Sequence, residues 1–205
     1  MTWGLLGLAL VLRVAWALLA STELRLDHVF NDATARSLLA GRGFTAAFDE
    51  PYDPAVFRTP GYSVFLAGVY AVAGPAVRAA FLAQAVLDTL SCARVGGLAR
   101  RRRGGRAGAW ALLLAATYPF TIHAVGTLSS ETVAVFLATL LLVGFDRLRE
   151  RASADRLAAL GVTLGLAAWV KPVFLPLPAF LLLAEWWRTR DLRAAALRAA
   201  VVAGV

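Results

Sequence analysis

Asp27, His28 and Asp32 stand in a polar stretch, residues 24–44, that directly follows an almost unbroken apolar one. A carboxylate within about 3 Å of a hydroxyl can take its proton as a general base. A carboxylate at the start of a helix can equally accept from unpaired first-turn amides, and Asp27 precedes Phe30, Ala33, Ala35, Leu38 and Leu39 on overlapping helical faces. Spacing alone leaves Asp27 both uses. Farther on, His123 stands alone, Glu131 closes the tract Leu128-Ser129-Ser130-Glu131, and Lys171 precedes Pro172. A glutamate in a first helical turn also suits the helix dipole, and an isolated interfacial histidine is more often merely solvated. No Walker, Rossmann, zinc-ligand or Ser-His-Asp arrangement occurs, and Gly41-Arg42-Gly43-Phe44 lacks the preceding strand that nucleotide binding needs. The residues name no cofactor and no metal.

The elements that hold these groups must be membrane helices. Of 205 residues, 60% are hydrophobic, and the mean hydropathy is +0.68, more apolar surface than one small soluble core can hide. Apolar runs separated by arginine-rich breaks recur along the chain, as crossings of a hydrocarbon layer about 30 Å thick require. The formal charge of +8 does not point to nucleic acid, because the arginines fall between apolar runs, where basic loops anchor helices and attract anionic lipid. With the single Cys92, no intramolecular disulfide can form.

The charge pattern orients the chain. Residues 3–20 form a first span with Arg13 at its centre; without a basic leader or a small residue at position 18, a cleaved signal peptide fits less well. Residues 21–59 carry six acids (Glu23, Asp27, Asp32, Asp49, Glu50, Asp53) against four arginines (Arg25, Arg36, Arg42, Arg58), a net charge of minus two, and belong outside. The tract Arg100-Arg101-Arg102-Arg103 belongs at the cytoplasmic face. An odd number of crossings must separate the two. Residues 60–74 are short for a span and rich in aromatics, so they lie at the outer interface, and residues 76–98 make the second span. Residues 107–150 and 157–187 each go out and back, turning near Tyr118-Pro119 and Lys171-Pro172. The expected fold is all-α, a polytopic bundle of about six to seven spans with short juxtamembrane helices in an external loop at 21–75. Residues 194–205 are too short to cross, so the chain reads as the N-terminal module, 1–205, of a longer protein. Arg13 and Asp88 fall at mid-depth of adjacent spans, where pairing relieves two costly burials. Asp27, Glu131 and Lys171 are expected on one external face.

The order Asp27, Ala35, Gly41-Arg42-Gly43-Phe44, Asp53-Pro54, Arg58-Thr59-Pro60-Gly61-Tyr62 and Phe65-Leu66-Ala67, followed by Leu128-Ser129-Ser130-Glu131 and Lys171-Pro172, resembles GT-C membrane glycosyltransferases. The likeness is to the bacterial family 39 and protein-mannosyltransferase-like group and covers almost the whole chain. It implies transfer of a sugar from a polyprenyl-phosphate donor to a lipid, glycan or protein acceptor outside a bacterial-type inner membrane, with the N-terminus cytoplasmic. By its place before the Ala35 and Gly41 landmarks, Asp27 rather than Asp32 takes the catalytic position. Arg58 and Lys171 are then donor-phosphate ligands, as guanidinium or ammonium groups at a helix end suit, against the simpler reading of cations facing lipid phosphates. Glu131, His28 and His123 are assigned to acceptor orientation and site architecture. His28 departs from the second acid that many relatives carry after the first, which turns the expectation away from paired carboxylates. The alternative is a non-enzymatic membrane protein, an assembly partner or small transporter, although no repeat relates the two halves.

Overall fold

The computed structural model describes residues 2–24, 27–47, 53–55, 58–150 and 153–190; Arg25, Asp49, Glu50 and the segment 194–205 lie outside them. The described elements are α1 (Thr2–Leu19), α2 (Asp27–Leu39), α3 (Gly61–Ala73), α4 (Val77–Arg103), α5 (Gly105–Thr117), α6 (Pro119–Val125), α7 (Glu131–Glu150), α8 (Ala154–Val170) and α9 (Leu177–Thr189), with a 3₁₀ turn at Pro172–Phe174. No strand occurs among the described residues. The chain divides into two compact units, Met1–Phe136 and Leu137–Val205.

The helices are shorter than a six-span bundle demands. Only α1, with 18 residues and a mean hydropathy of 1.8, is by itself long and apolar enough to cross a membrane among the described residues. The pairs α3–α4 and α5–α6 qualify when each is taken together, but they bend by 111° and 50°, so length and composition support one to three spans. The shortfall has local causes. Gly74, at φ +82°, and Pro75 turn the chain between α3 and α4. Pro119 and Pro172 interrupt the later apolar runs, leaving α8 with 17 residues and α9 with 13. Aspartate and arginines crowd the last two turns of α7.

The first unit is held by one buried arginine. Arg13 is fully enclosed, and its Nε donates to Asp88 Oδ2 at 2.6 Å. Nη1 donates to the carbonyls of Ala9 at 3.1 Å and Ala116 at 2.9 Å, and Nη2 to Ala115 O at 3.0 Å and Thr121 Oγ1 at 3.3 Å. Ala115 is four residues before Pro119, which has no amide to offer it; at the break between α5 and α6 its carbonyl accepts a long 3.5 Å bond from the Tyr118 amide, and the guanidinium adds a shorter one. Nearer the other end, Arg78 Nη1 donates to Ala17 O (2.6 Å), Leu18 O (2.8 Å) and Ala20 O (3.0 Å), covering carbonyls left over where α1 ends. The two arginine contacts fix α1 antiparallel to α4.

Small residues let the backbones approach. Ala9, Cys92, Leu112 and Ala116 form a buried cluster among α1, α4 and α5, and Gly104, at φ +86°, turns α4 into α5. A Cβ on Gly108 would lie 2.6 Å from Arg100 Cβ and 2.9 Å from the Gly96 carbonyl oxygen, whereas one on Gly97 meets nothing within 4 Å. Gly108→Ala is therefore expected to destabilise the protein by about 1–3 kcal/mol. Gly97→Ala should be neutral or slightly stabilising, and thermal unfolding of both in one detergent checks the contrast. In the second unit, Gly144 packs closely on Leu160, and Arg156 Nη1 donates to Arg147 O at 2.6 Å, closing the α7–α8 hairpin.

Candidate active site

The helix that carries Asp27 is anchored before its exposed acid is considered. α2 buries Asp32, Ala33, Thr34, Ala35 and Ser37. Tyr70 Oη donates to Asp32 Oδ1 at 2.6 Å, and Arg36 Nε donates to Asp32 Oδ2 at 2.7 Å. Arg36 also donates through Nη2 to Pro75 O at 2.8 Å and stacks 5.6 Å above the Tyr70 ring. The hydrogen bond to Asp32 raises the Arg36 pKa above its ordinary value, with its partial burial opposing. Both Asp32 oxygens are thus engaged: Oδ1 fastens α2 to α3, and Oδ2 holds Arg36 within α2, which in turn reaches the turn after α3 at Pro75. Asp27, in the first turn of the same helix, has its side chain 61% exposed.

The glycine tract after α2 shapes a wall beside it. Gly41 adopts φ +72°, its amide donates to Leu38 O at 3.2 Å, and the Arg42 amide donates to Ser37 O at 3.0 Å, the paired bonds of a Schellman helix end. A second positive φ at Gly43 (+83°) redirects the chain, and the Ala55 amide donates to Phe44 O at 2.9 Å, drawing the next segment back alongside. Between them opens a cleft of about 410 Å³ whose lining includes Arg42, Gly43, Thr45, Ala55, Arg58 and Pro60. Arg58 bridges this cleft to the acid. Its Nη2 donates to Asp27 Oδ1 in an ion pair, and its guanidinium lies 5.5 Å above the Phe30 ring.

A buried polar network ties the same corner to the start of α7. Asn31, one turn beyond Asp27, donates through Nδ2 to Leu128 O at 2.8 Å. Gln84 is fully enclosed. Its Nε2 donates at 2.9 Å to both Val125 O and Thr127 O, while Tyr62 Oη donates to Gln84 Oε1 at 2.9 Å. Thr127 and Ser129 hydroxyls meet at 2.8 Å, and α7 then opens on the exposed Glu131. α2 and α4 are thereby bonded directly to one turn, and α3 joins them through Gln84. Sequence reading missed this network, although a lone Gln84 inside an apolar run must find partners and was a readable signal. Asn31 gave none, because its partner is a backbone carbonyl.

The other candidates are distributed. Asp27 and Arg58 meet, and Arg13 and Asp88 meet. His28 is half-buried beside Asp27 in α2. His123 is exposed on α6 and pairs with α1, its ring 5.8 Å from that of Trp16 and its carbonyl accepting from Trp16 Nε1 at 3.3 Å. Lys171 lies in the second unit, where it ends α8 in an extended conformation with its amide donating to Ala167 O at 2.8 Å. No group of three or more His, Cys, Asp or Glu that could hold a metal is found among the described residues.

Among the described residues, an apolar first helix followed by a polar helical segment and a charged cleft, with no strand, fits an integral-membrane protein. Residues 57–205, nearly three quarters of the chain, match the family described as dolichyl-phosphate-mannose-protein mannosyltransferase, and the chain belongs to that family. Its class is the GT-C membrane glycosyltransferases. The match includes Arg58, Glu131 and Lys171 and begins after Asp27. Neither the curated proteins nor the solved structures gave a match.

Proposed function

We propose that this protein transfers a sugar from a polyprenyl-phosphate donor to an acceptor on the extracytoplasmic face, with the loop 21–75 as its catalytic loop. The reading rests on one observation above others: Asp27 is ion-paired to Arg58, and Arg58 lines the neighbouring cleft. In the reaction, the acceptor oxygen attacks the anomeric carbon while the carbon–oxygen bond to phosphate breaks. The bonding electron pair leaves with the polyprenyl phosphate, and the acceptor proton passes to Asp27. Arg58 and Lys171 offset the charge growing on the departing phosphate. Glu131, with His28 and His123, orients the acceptor and shapes the site. Metal participation is not part of this scheme.

The same reading places the N-terminus and Arg100–Arg103 in the cytoplasm of a bacterial-type inner membrane, since basic turns are held there. About six crossings follow if the proline-broken helices return in pairs through the bilayer. The donor sugar named in the family description is the first to test. Incubating the full-length protein in proteoliposomes with polyprenyl-phosphate mannose and labelled lipid and peptide extracts should give labelled product. A nucleotide sugar should not substitute. Transfer from the nucleotide sugar alone would overturn the donor assignment. Arg58→Ala is expected to weaken donor affinity about tenfold or more, a charged hydrogen bond being worth roughly 1.5–3 kcal/mol; equal affinity would return Arg58 to the role of an interfacial cation.

A further inference from the structure

We infer that Arg58 has a second task, as a positioning residue for Asp27, and that the arrival of the donor phosphate transfers the guanidinium from one to the other. This inference rests on the proposed function and adds an order to it: donor first, then acceptor. Arg58 is the one cation seen to hold the Asp27 carboxylate among the described contacts, and it also lines the neighbouring cleft. Of the two partners, Asp27 is the fixed one. Its helix is fastened through Asp32, Arg36 and Tyr70 on one side and through Asn31 to Leu128 O on another. The Arg58 side chain is long, 41% exposed, and rests on the Phe30 face, from which its head can swing without leaving the ring.

A phosphate offers more oxygens and, as the sugar departs, more charge than a carboxylate, and a guanidinium binds it in bidentate fashion. The donor therefore competes with Asp27 for the same donors. While the cleft is without donor, Oδ1 is occupied by Arg58 and is a poor acceptor for a hydroxyl proton. Once Arg58 turns to phosphate, Oδ1 is released. The pairing thus ties the readiness of the base to the presence of the sugar that its proton transfer will serve, and it discourages unproductive binding of acceptor alone.

The test uses the full-length protein in nanodiscs and polyprenyl monophosphate as the anionic probe. Asp27→Asn removes the competing carboxylate, so the probe should bind about two- to fivefold tighter than to wild type, the range expected from breaking an exposed ion pair. In an Arg58→Ala background the same change should have no effect on affinity. Asp27→Ala provides a second variant with the same expected tightening. Unchanged or weaker binding in both Asp27 variants overturns the shared-guanidinium inference. So does equal tightening with and without Arg58, which would reflect only the loss of a nearby negative charge. Turnover separates this from the parent reading: lost turnover with unaltered probe affinity removes the inference alone, while full turnover in Asp27→Asn removes the assignment of Asp27 as base. Arg58→Lys should restore probe binding in part, but it should not restore kcat to the same degree, because an ammonium lacks the planar fork that binds the departing phosphate in bidentate fashion.

Discussion

Arg13→Leu is expected to cost the folded protein about 3–5 kcal/mol, the range for removing one partner of a buried ion pair. Two losses combine. Asp88 is left charged and unpaired in the interior, and the carbonyls of Ala9, Ala115 and Ala116 lose a donor. The second loss distinguishes this arginine from an ordinary salt-bridge partner. If the carbonyls matter as argued, Asp88→Asn should be milder than Arg13→Leu, since an amide oxygen still accepts from Nε and the backbone contacts persist. Combining Arg13→Leu with Asp88→Leu should recover only part of the stability, for the carbonyls of Ala115 and Ala116 would still lack the guanidinium, Ala115 O keeping just the long bond from the Tyr118 amide. Thermal unfolding in detergent and the monodisperse fraction after extraction read all three. Equal losses in Arg13→Leu and Asp88→Asn would show that the ion pair alone matters.

Asp27→Asn should have the opposite profile. A general base contributes about 10²–10⁴-fold to rate, so sugar transfer is expected to fall by that factor. Stability should stay within about 0.5 kcal/mol, as befits an exposed side chain. Asp32→Asn makes the comparison sharp. The substitution replaces one of two engaged carboxylate oxygens with an amide that cannot accept from both Arg36 and Tyr70, and is expected to cost about 1–3 kcal/mol through the unseating of α2. Initial-rate assays on the full-length protein, paired with melting curves, check both. Unaltered transfer in Asp27→Asn would take this acid out of the chemistry.

The helical class and the places where helices stop are legible in the sequence because they depend on local causes. Gly74-Pro75, Tyr118-Pro119 and Lys171-Pro172 each interrupt a helix, since proline lacks the amide and glycine relieves the turn. The family is legible from the ordered landmarks after Asp27. The number of crossings is harder to read: the breaks at Gly74-Pro75 and Tyr118-Pro119 are legible, but the size of the bend at each, 111° and 50°, is not, nor whether the two flanking helices make one broken span or separate ones. Arg58 and Asp27 are 31 residues apart, and the segment that follows α2 has no periodicity to predict their meeting. Gln84, a lone amide in an apolar run, signals that it needs partners but not which ones: they are the carbonyls of Val125 and Thr127, and a backbone carbonyl leaves no mark in the sequence.

The anchor between α1 and α4 also bears on biogenesis. Arg13 precedes its carboxylate by 75 residues, and a ribosome adding about 5–20 residues per second needs roughly 4–15 seconds to supply that counter-ion. During that interval a guanidinium lies midway along the nascent first helix, where insertion into lipid carries a penalty of about 2.5–3.5 kcal/mol. The helix must wait in a wet or sheltered place, such as the insertion machinery, until its later companion emerges. A stall placed before Asp88 is synthesised should therefore leave α1 extractable from membranes by alkali, and one placed after α5 should not.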